Sequence, residues 1–338
     1  MSPLSPRSLR ALAALRAFRP PPTNYPLLPL TRRAAVLILL FADPAGDLRV
    51  VLTIRSLGLR NYSGHAALPG GKADTLAETP WQTARREAWE EIGLPLDSSD
   101  GGSVLPKGYE VEELTELPTN LAMTELGVRP CVAFLRTPEG GGADVGRDLL
   151  PKLDAKEVAA VFTAPVHNLL CERDEDAGVR ESVPGEWYKG SWHSWHETAW
   201  RMHQFMVPVS PGTVFLASSN TAAAAKTVTD AAAPSKPKPK PPPPPDSALA
   251  PPLPRAFYVG SPDPLQQPRY RVFGMTARIL VDCARVAYGE EPEFEHNSHF
   301  GDEEMIASLL RIGRLGKEKK VGEMLTREVM MKAGKPKM

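Results

Sequence analysis

Three glutamates, Glu87, Glu90 and Glu91, stand close together in a chain that carries no net charge. If the segment is helical, their i, i+3 and i+4 spacing puts all three on one face, within roughly 100° of arc. Like charges at these spacings repel each other. A bound divalent cation is the simplest compensation. Carboxylate oxygens without a cysteine nearby favour Mg²⁺ or Mn²⁺ over zinc, and such an ion usually completes its shell with water and substrate phosphates.

The segment around these glutamates has the start and stop signals of a helix. Thr79 can cap it, Pro80 suits its first position, and Gly93 can end it. Two consecutive glycines, Gly70 and Gly71, precede it and let the backbone bend tightly near a ligand. The order of strand, glycine turn and helix would therefore present the glutamates beside that turn, where a phosphoanhydride could bind.

The spacing resembles the Nudix box, the signature of hydrolases that cut nucleoside diphosphates linked to another group. The matching pattern is Glu78, seven residues, Arg86–Glu87, two residues, Glu90–Glu91, one residue and Gly93. Six residues separate Gly71 from Glu78, one more than in the usual box. This longer loop resembles one branch of the family, the coenzyme A diphosphatases.

Two further stretches resemble the same branch. LTIRSLGLRNYSGHAALPGG, from Leu52 to Gly71, is similar to the signature of the branch, although Leu68 stands where a phenylalanine is expected. FGMTARIL, from Phe273 to Leu280, resembles its G-M-T-A helix start. Apart from an insert, the three matches lie within residues 9 to 295, and the likeness extends to fungal peroxisomal members of the branch.

The resemblance implies a metal site and a substrate site. Glu87 and Glu91 would be the main ligands of Mg²⁺ or Mn²⁺, Glu90 would act beside them in metal binding and catalysis, and Gly71 would lend a carbonyl oxygen. Substrate binding would fall to Arg55, Arg60 and Gly70. Arginine forks match the phosphate oxygens of coenzyme A bidentately.

The general base is less well defined by the pattern. Glu157, just before a predicted strand, is the first candidate, and Glu116 and Glu125 compete with it. Arg86 is expected to pair with Glu78, which would fix the loop against the helix. That ion pair would be structural rather than catalytic.

The implied reaction is metal-dependent hydrolysis of coenzyme A to 4′-phosphopantetheine and adenosine 3′,5′-bisphosphate. Coenzyme A, its oxidised form and acyl-coenzyme A are all candidate substrates. One alternative is a Nudix hydrolase of ADP-ribose or NADH, and the Arg55 and Arg60 signature counts against it. Another is a non-catalytic Nudix-fold binding module, and the retained box carboxylates count against that.

Composition limits the remaining classes. The 338 residues carry 40 basic and 40 acidic side chains, which argues against a general nucleic-acid binder. The longest apolar run, Ala34 to Ala42, is too short to span a bilayer, so no membrane partner is predicted and the run is interpreted as a buried strand. The three dispersed cysteines are expected to be reduced thiols.

Two histidine pairs have metal-like spacing but lack a third ligand nearby, so zinc is not predicted there: His193 with His196, and His296 with His299. The oligomeric state is left open.

The resemblance implies an α/β fold, the Nudix α/β/α sandwich with a mixed sheet. Strands are predicted near residues 32–42, 48–56, 128–136 and 157–165, with a hairpin or bulges in the aromatic stretch 190–209. The expected organisation is an N-terminal helix and proline-rich lead-in (1–30), the hydrolase domain (31–216), a disordered insert rich in proline, alanine and lysine (217–256), a helical region that completes the domain (257–295), and a polar, loosely attached tail (296–338).

The two ends of the chain bear on localisation. The first twenty residues predict a helix that ends at Pro20, but they are also rich in arginine and free of acids, as transit peptides are. The resemblance implies a peroxisomal location. The final tripeptide, Pro336 to Met338, only distantly resembles the S-K-L address, so cytoplasm and mitochondrion remain alternatives.

Overall fold

The computed structural model describes residues 4–59, 62–96, 105–138, 154, 156–183, 185–195, 198–209, 214–216 and 269–318. The chain divides into two units, Met1–Ala217 with Pro268–Met338, and Ser218–Gln267. All described residues belong to the first unit. The expected insert at 217–256 lies outside the described residues, and so does Arg60.

Five α-helices lie in the described part of the chain, and none is long and apolar enough to cross a membrane. They are α1 (Pro6–Ala17), α2 (Pro80–Ile92), α3 (Ala177–Ser182), α4 (Gly274–Tyr288) and α5 (Glu303–Arg311). The helix predicted at the N-terminus is confirmed as α1, capped by the Ser5 hydroxyl, which accepts from the Ser8 N–H. It contributes three buried core residues, Ala11, Leu12 and Leu15.

The large sheet is mixed, as expected for this fold. Its strands run in the order β11 (Val214–Leu216), β8 (Val158–Pro165), β2 (Leu48–Arg55), β1 (Arg33–Ala42), β7 (Gly127–Arg136) and β5 (Glu110–Glu116). Three short strands pair with β2, β1 and β7: β3 (Ala66–Ala67), β4 (Gly70–Lys72) and β6 (Asn120–Leu121). Strands β1 and β7 are parallel, while the other pairs are antiparallel. The long apolar run of β1 lies between β2 and β7, so both of its edges are paired within the sheet.

Alternate residues of β1 pack into separate cores on the two faces of the sheet. Ile38 and Leu40 join a core that also contains residues of α1 and α4, whereas Leu37 and Leu39 join the core under α2. Helices therefore cover both faces of a mixed sheet. The predicted α/β/α sandwich is confirmed.

A second, three-stranded sheet contains β9 (Tyr188–Trp195), β10 (Thr198–Pro208) and β12 (Arg269–Phe273). Strands β9 and β10 form the hairpin that the aromatic stretch predicts, with Thr198 opposite Trp195. Within the helical region expected over residues 257–295, the helix begins only at Gly274. The preceding residues form a strand because Tyr270 and Val272 are both buried, which is a period of two rather than of 3.6.

The segment after residue 295 differs from the loosely attached tail that we expected. In its described part, up to residue 318, Ile306, Leu309 and Leu315 are fully buried in a core with Tyr25 and Leu28. Glu303 also accepts a hydrogen bond of 2.8 Å from the N–H of Asn24. Loose attachment is therefore wrong for this part, because an amphipathic face of α5 is covered by residues near the N-terminus.

Candidate active site

The glutamate cluster lies on α2, whose ends are those predicted from the sequence. Thr79 Oγ1 accepts from the Gln82 N–H at 3.2 Å, and Gln82 Oε1 accepts from the Thr79 N–H at 2.8 Å, which completes a capping box. Gly93 ends the helix in the left-handed conformation, at φ +71°. The apolar face is fully buried against the sheet, so the helix cannot rotate away from the glycine turn; it comprises Ala84, Ala88 and Ile92.

The three glutamates differ strongly in exposure. The Glu91 side chain is 5% exposed, that of Glu87 is 15% exposed, and that of Glu90 is 43% exposed. Glu91 therefore lies against the protein interior and Glu90 lies at the solvent edge of the same helical face. Glu87 and Glu91 form an inner pair of carboxylates one helical turn apart.

The glycine turn packs directly against this inner pair. Strand β4 pairs with β1, so that Gly71 lies opposite Ala35. A Cβ atom on Gly71 would lie 2.4 Å from Glu87 Oε1, and the Gly70 N–H donates to Glu91 Oε2 at 3.1 Å. Only a residue without a side chain can lie so close to Glu87, which accounts for glycine at position 71.

Both inner carboxylates are held in an environment that disfavours their negative charge. Burial raises the pKa of Glu91 to about 8. The hydrogen bond from the Gly70 N–H and the charge of Arg55 lower this pKa, while the negative charges of Glu87 and Glu157 raise it further. Burial also raises the pKa of Glu87, opposed by Arg86 and reinforced by Glu90 and Glu157. Hard oxygen donors at a site short of positive charge fit a divalent cation such as Mg²⁺ or Mn²⁺.

Arg86 forms an ionic hub beside the cluster. Its Nε lies 2.9 Å from Glu78 Oε1, which confirms the ion pair predicted from the sequence. Its Nη1 lies 3.1 Å from Glu87 Oε1 and 3.2 Å from Glu90 Oε2, and its Nη2 donates to the Lys72 carbonyl at 2.8 Å. Arg86 thus joins the box loop to the helix. Among the salt bridges of the described residues, the one made by Glu91 is longer than the one between Arg86 and Glu87, and its cation is therefore the weaker partner.

That weaker partner is Arg55, at the end of β2. Arg55 Nη1 lies 3.9 Å from Glu91 Oε1, and the arginine side chain is 31% exposed. The structure therefore places Arg55 beside the glutamate cluster. Glu157 is a neighbour, since the Ser56 N–H donates to its carbonyl at 2.8 Å and its charge raises the pKa of both Glu87 and Glu91.

The two competing base candidates are engaged in other ion pairs. Glu116 Oε2 lies 2.7 Å from Arg129 Nε. Glu125 is held between Arg32 Nη1 at 3.0 Å and Arg314 Nε at 2.8 Å. Both carboxylates are therefore paired with arginines, whereas Glu157 is exposed and its charge acts on Glu87 and Glu91.

The histidine pairs do not converge on a shared position among the described residues. His193 Nε2 lies 2.8 Å from Ser191 Oγ, His296 Nε2 lies 2.7 Å from Glu291 Oε2, and His299 Nε2 lies 3.1 Å from Arg278 Nη2. His196 is outside the described residues.

Sequence analysis missed an aromatic and basic group beside Arg55. The His65 ring lies 5.0 Å from the Phe273 ring, and Arg271 Cζ lies 4.1 Å from the Phe273 centroid. Burial lowers the pKa of His65, and the positive charges of Arg271 and Arg55 lower it further, so the imidazole is neutral near pH 7. The position of Arg271, just before F-G-M-T-A, was the available signal, but the segment was interpreted as helical.

Comparisons with known proteins agree with this geometry. The NUDIX domain family matches residues 31–212, which is just over half of the chain. Peroxisomal coenzyme A diphosphatase 1 of Saccharomyces cerevisiae is 38% identical over 191 residues, covering 51% of this chain and 54% of that protein. Nudix hydrolase 15, mitochondrial, of Arabidopsis thaliana is 40% identical over 156 residues, covering 46% of each chain.

Two further matches complete the comparison. A peroxisomal coenzyme A diphosphatase of Caenorhabditis elegans is 33% identical over 138 residues, covering 40% of this chain and 50% of that protein. A solved structure of a C. elegans Ap4A hydrolase covers 40% of this chain and 83% of its own, with 20% identity and a low TM-score of 0.28. The chain spans about half the length of the curated relatives described here.

Proposed function

Because this chain belongs to the Nudix family, with its domain over residues 31–212, we propose that it hydrolyses the diphosphate of coenzyme A or a coenzyme A derivative. The observation that carries this proposal is the inner pair, half-buried Glu87 and buried Glu91, which packs on the Gly70–Gly71 turn with Arg55 Nη1 3.9 Å from Glu91 Oε1. The Leu52–Gly71 signature and two relatives named as coenzyme A diphosphatases support the choice of substrate.

We assign the metal to the inner pair, and its set of oxygen donors supports this choice. Glu87 and Glu91 would hold Mg²⁺ or Mn²⁺, with Glu90 at the solvent edge and the Gly71 carbonyl as a further ligand. When bound, the ion would neutralise the diphosphate and lower the pKa of a coordinated water. The raised pKa values of Glu87 and Glu91 support this assignment, because a cation would remove the penalty of ionising them.

The protein's own residues would supply binding, orientation and proton transfer. Arg55 would hold the diphosphate oxygens beside the cluster, since its guanidinium lies nearest to Glu91. Glu157 would accept the proton of the attacking water. This role is supported by its exposure and by its charge, which raises the pKa of both Glu87 and Glu91. Arg86 would keep Glu87 and Glu90 oriented without contacting substrate. The products would be 4′-phosphopantetheine and adenosine 3′,5′-bisphosphate.

A turnover screen tests this proposal against its alternatives. Coenzyme A, acyl-coenzyme A, ADP-ribose and NADH would be offered to the full chain with Mg²⁺ or Mn²⁺. We expect cleavage of the coenzyme A species, loss of turnover by orders of magnitude in Glu91→Gln, and little change in Glu186→Gln, a surface carboxylate that is 72% exposed. Preference for ADP-ribose or NADH would reassign the substrate, and no turnover of any compound would favour the binding module.

We also propose a peroxisomal location, supported by the two relatives named as peroxisomal. A mitochondrial relative and the arginine-rich N-terminus make the mitochondrion the alternative. Helix α1 contributes Leu12 and Leu15 to the core, so cleaving it off as a leader would expose apolar surface. A fluorescent fusion with a free C-terminus, imaged with organelle markers, separates the two, and signal confined to mitochondria would contradict the peroxisomal proposal.

A further inference from the structure

A second cluster of metal-ligand residues lies at the other end of β8 from Glu157. It consists of His167, Cys171 and Glu175, whose ligand atoms all lie within 4.8 Å of one another. Strand β8 has eight residues, so its two ends are about 25 Å apart. The cluster is therefore separate from the candidate active site.

The imidazole of His167 is the centre of this cluster. Its Nδ1 lies 2.8 Å from Glu175 Oε1, and Cys171 follows the short helical turn that His167 begins. The Cys171 thiol donates to the His167 carbonyl oxygen at 3.9 Å. All three side chains therefore belong to one short stretch of the chain.

The other nitrogen of the same ring is held from a distant part of the chain. His167 Nε2 lies 3.1 Å from Glu290 Oε2, just beyond the end of α4. Metal-binding histidines usually donate their second N–H to a carboxylate, which orients the ring and makes the first nitrogen a better ligand. The loop itself is braced by Asn168, whose Oδ1 accepts from the Glu175 N–H at 2.9 Å and whose Nδ2 donates to Asp174 Oδ1 at 3.1 Å.

We propose that His167 Nδ1, Cys171 Sγ and a Glu175 carboxylate oxygen bind a zinc ion, with water as the fourth ligand and Glu290 as the outer partner. Nitrogen, thiolate and carboxylate together are a zinc donor set, unlike the all-oxygen set of the Nudix box. A tetrahedral zinc ion holds its ligand atoms roughly 3.3 to 3.8 Å apart. Small rotations of three side chains reach that spacing. Such an ion would join the β8–α3 connection to the end of α4.

One neighbouring cation competes with this ion. Arg7 Nη1, on α1, lies 3.2 Å from Glu175 Oε1, with both side chains 40% exposed or more. A surface pair of this kind contributes little to stability, so it can rearrange when a metal binds. Removing Arg7 should therefore strengthen metal binding if Glu175 is a ligand.

Cobalt substitution tests the site directly in the full chain. Co²⁺ added to the reduced protein should give a thiolate-to-cobalt charge-transfer band and the intense visible bands of tetrahedral cobalt, at one equivalent, and Zn²⁺ should abolish both. The charge-transfer band cannot arise from the Nudix box, which has no cysteine. The other two cysteines, Cys131 and Cys283, are fully buried in the core.

Substitutions decide which residues bind the ion. Cys171→Ser should remove the charge-transfer band, Glu290→Gln should weaken Co²⁺ binding roughly 10- to 100-fold, and Glu91→Gln should leave the band intact. Arg7→Ala should tighten binding, whereas Arg10→Ala, an exposed arginine on the same helix, should not. Circular dichroism would show that each variant is folded.

Several outcomes would overturn the site. These are a wild-type protein without the band, a band that survives Cys171→Ser, or equal effects of Arg7→Ala and Arg10→Ala. In each case the cluster would be an ion-pair network only. None of these outcomes bears on the proposed coenzyme A hydrolysis, which the turnover screen tests separately.

Discussion

The carboxylate of Glu91 should destabilise the metal-free protein and stabilise it when a metal is bound. Glu91→Gln keeps the size of the side chain and an oxygen to accept the 3.1 Å hydrogen bond from the Gly70 N–H, but it removes the charge. Because the side chain is 5% exposed, that charge has almost no access to water. The substitution therefore isolates the cost of ionising one buried group.

The pKa of about 8 for Glu91, against an ordinary value of 4.5, sets the size of the effect. Below pH 4.5 the group is protonated in both states and costs nothing. As the pH rises from 4.5 to 8, the unfolded chain releases the proton while the folded chain keeps it, so the free energy of unfolding falls. At about 1.4 kcal/mol per pH unit, the loss is about 3 kcal/mol at pH 7 and about 4 kcal/mol at pH 8, and it levels off near about 5 kcal/mol above pH 8.

Thermal or urea unfolding in a chelating buffer measures this effect. At pH 7 Glu91→Gln should be about 3 kcal/mol more stable than the wild type, which corresponds to a Tm higher by roughly 5 to 10 °C. At pH 4.5 the two proteins should unfold together. Glu90→Gln is the matched control on the same helix, and it should change stability by less than about 0.5 kcal/mol because Glu90 is 43% exposed.

Adding metal should reverse the difference. Mg²⁺ or Mn²⁺ at 100 times its dissociation constant would stabilise the wild type by about 2.7 kcal/mol, and Glu91→Gln should gain much less because it lacks one ligand charge. A variant that is no more stable than the wild type in chelator at pH 7 would refute the inference that the ionised Glu91 is costly. Equal stabilisation of both proteins by metal would refute its role as a ligand.

Four other perturbations test separate parts of the site and chain. Gly71→Ala places a Cβ atom against Glu87 Oε1, so that carboxylate must move away. The affinity for Mn²⁺, measured by titration, should then fall roughly 10- to 100-fold. Unchanged affinity would show that Glu87 does not bind the metal. Arg55→Ala should lower kcat/KM equally for coenzyme A and dephospho-coenzyme A, because Arg55 lies beside the proposed metal site. Arg60→Ala should lower kcat/KM for coenzyme A alone, by about 1.5 to 3 kcal/mol or roughly ten- to a hundred-fold. If Arg60→Ala lowers kcat/KM equally for both substrates, Arg60 does not contact the 3′-phosphate. Deleting residues 220 to 254 should leave Tm nearly unchanged, since we propose that this proline-, alanine- and lysine-rich stretch is an insert outside the packed domain; failure to fold would contradict that proposal.

Local features of the sequence were enough to place the chemistry-bearing helix. Thr79, Pro80 and Gly93 determine the ends of α2 through hydrogen bonds and backbone preferences that act within one helical turn. The Ala34–Ala42 run also predicts a buried strand from local features, because the length of an apolar run depends only on neighbouring residues. The Nudix box spacing then identified the family, since it specifies which residues share a helical face.

Tertiary structure decided which of those residues bear an energetic cost and what else joins them. Periodicity put Glu87, Glu90 and Glu91 on one face, but only the packing of α2 on the sheet buries Glu91 and exposes Glu90. Arg55 reaches Glu91 from a strand 36 residues earlier. Such pairings depend on the register of the strands and on where a helix packs, which local preferences do not encode.

The longest-range contacts were the least visible in the sequence. Arg269–Phe273 forms a strand because it pairs with β10, and this pairing overrides the helical appearance of the segment. The region after residue 295 is held by Tyr25 and Leu28, nearly 300 residues earlier. Likewise, the spacing of His167, Cys171 and Glu175 is local, but Glu290, which orients the imidazole, comes from beyond the insert. The sequence by itself determined most helices and strands and the residue types of the candidate site. The contacts that shift the pKa values of those residues arise only when distant segments pack together, because burial and the proximity of charges are properties of the assembled core.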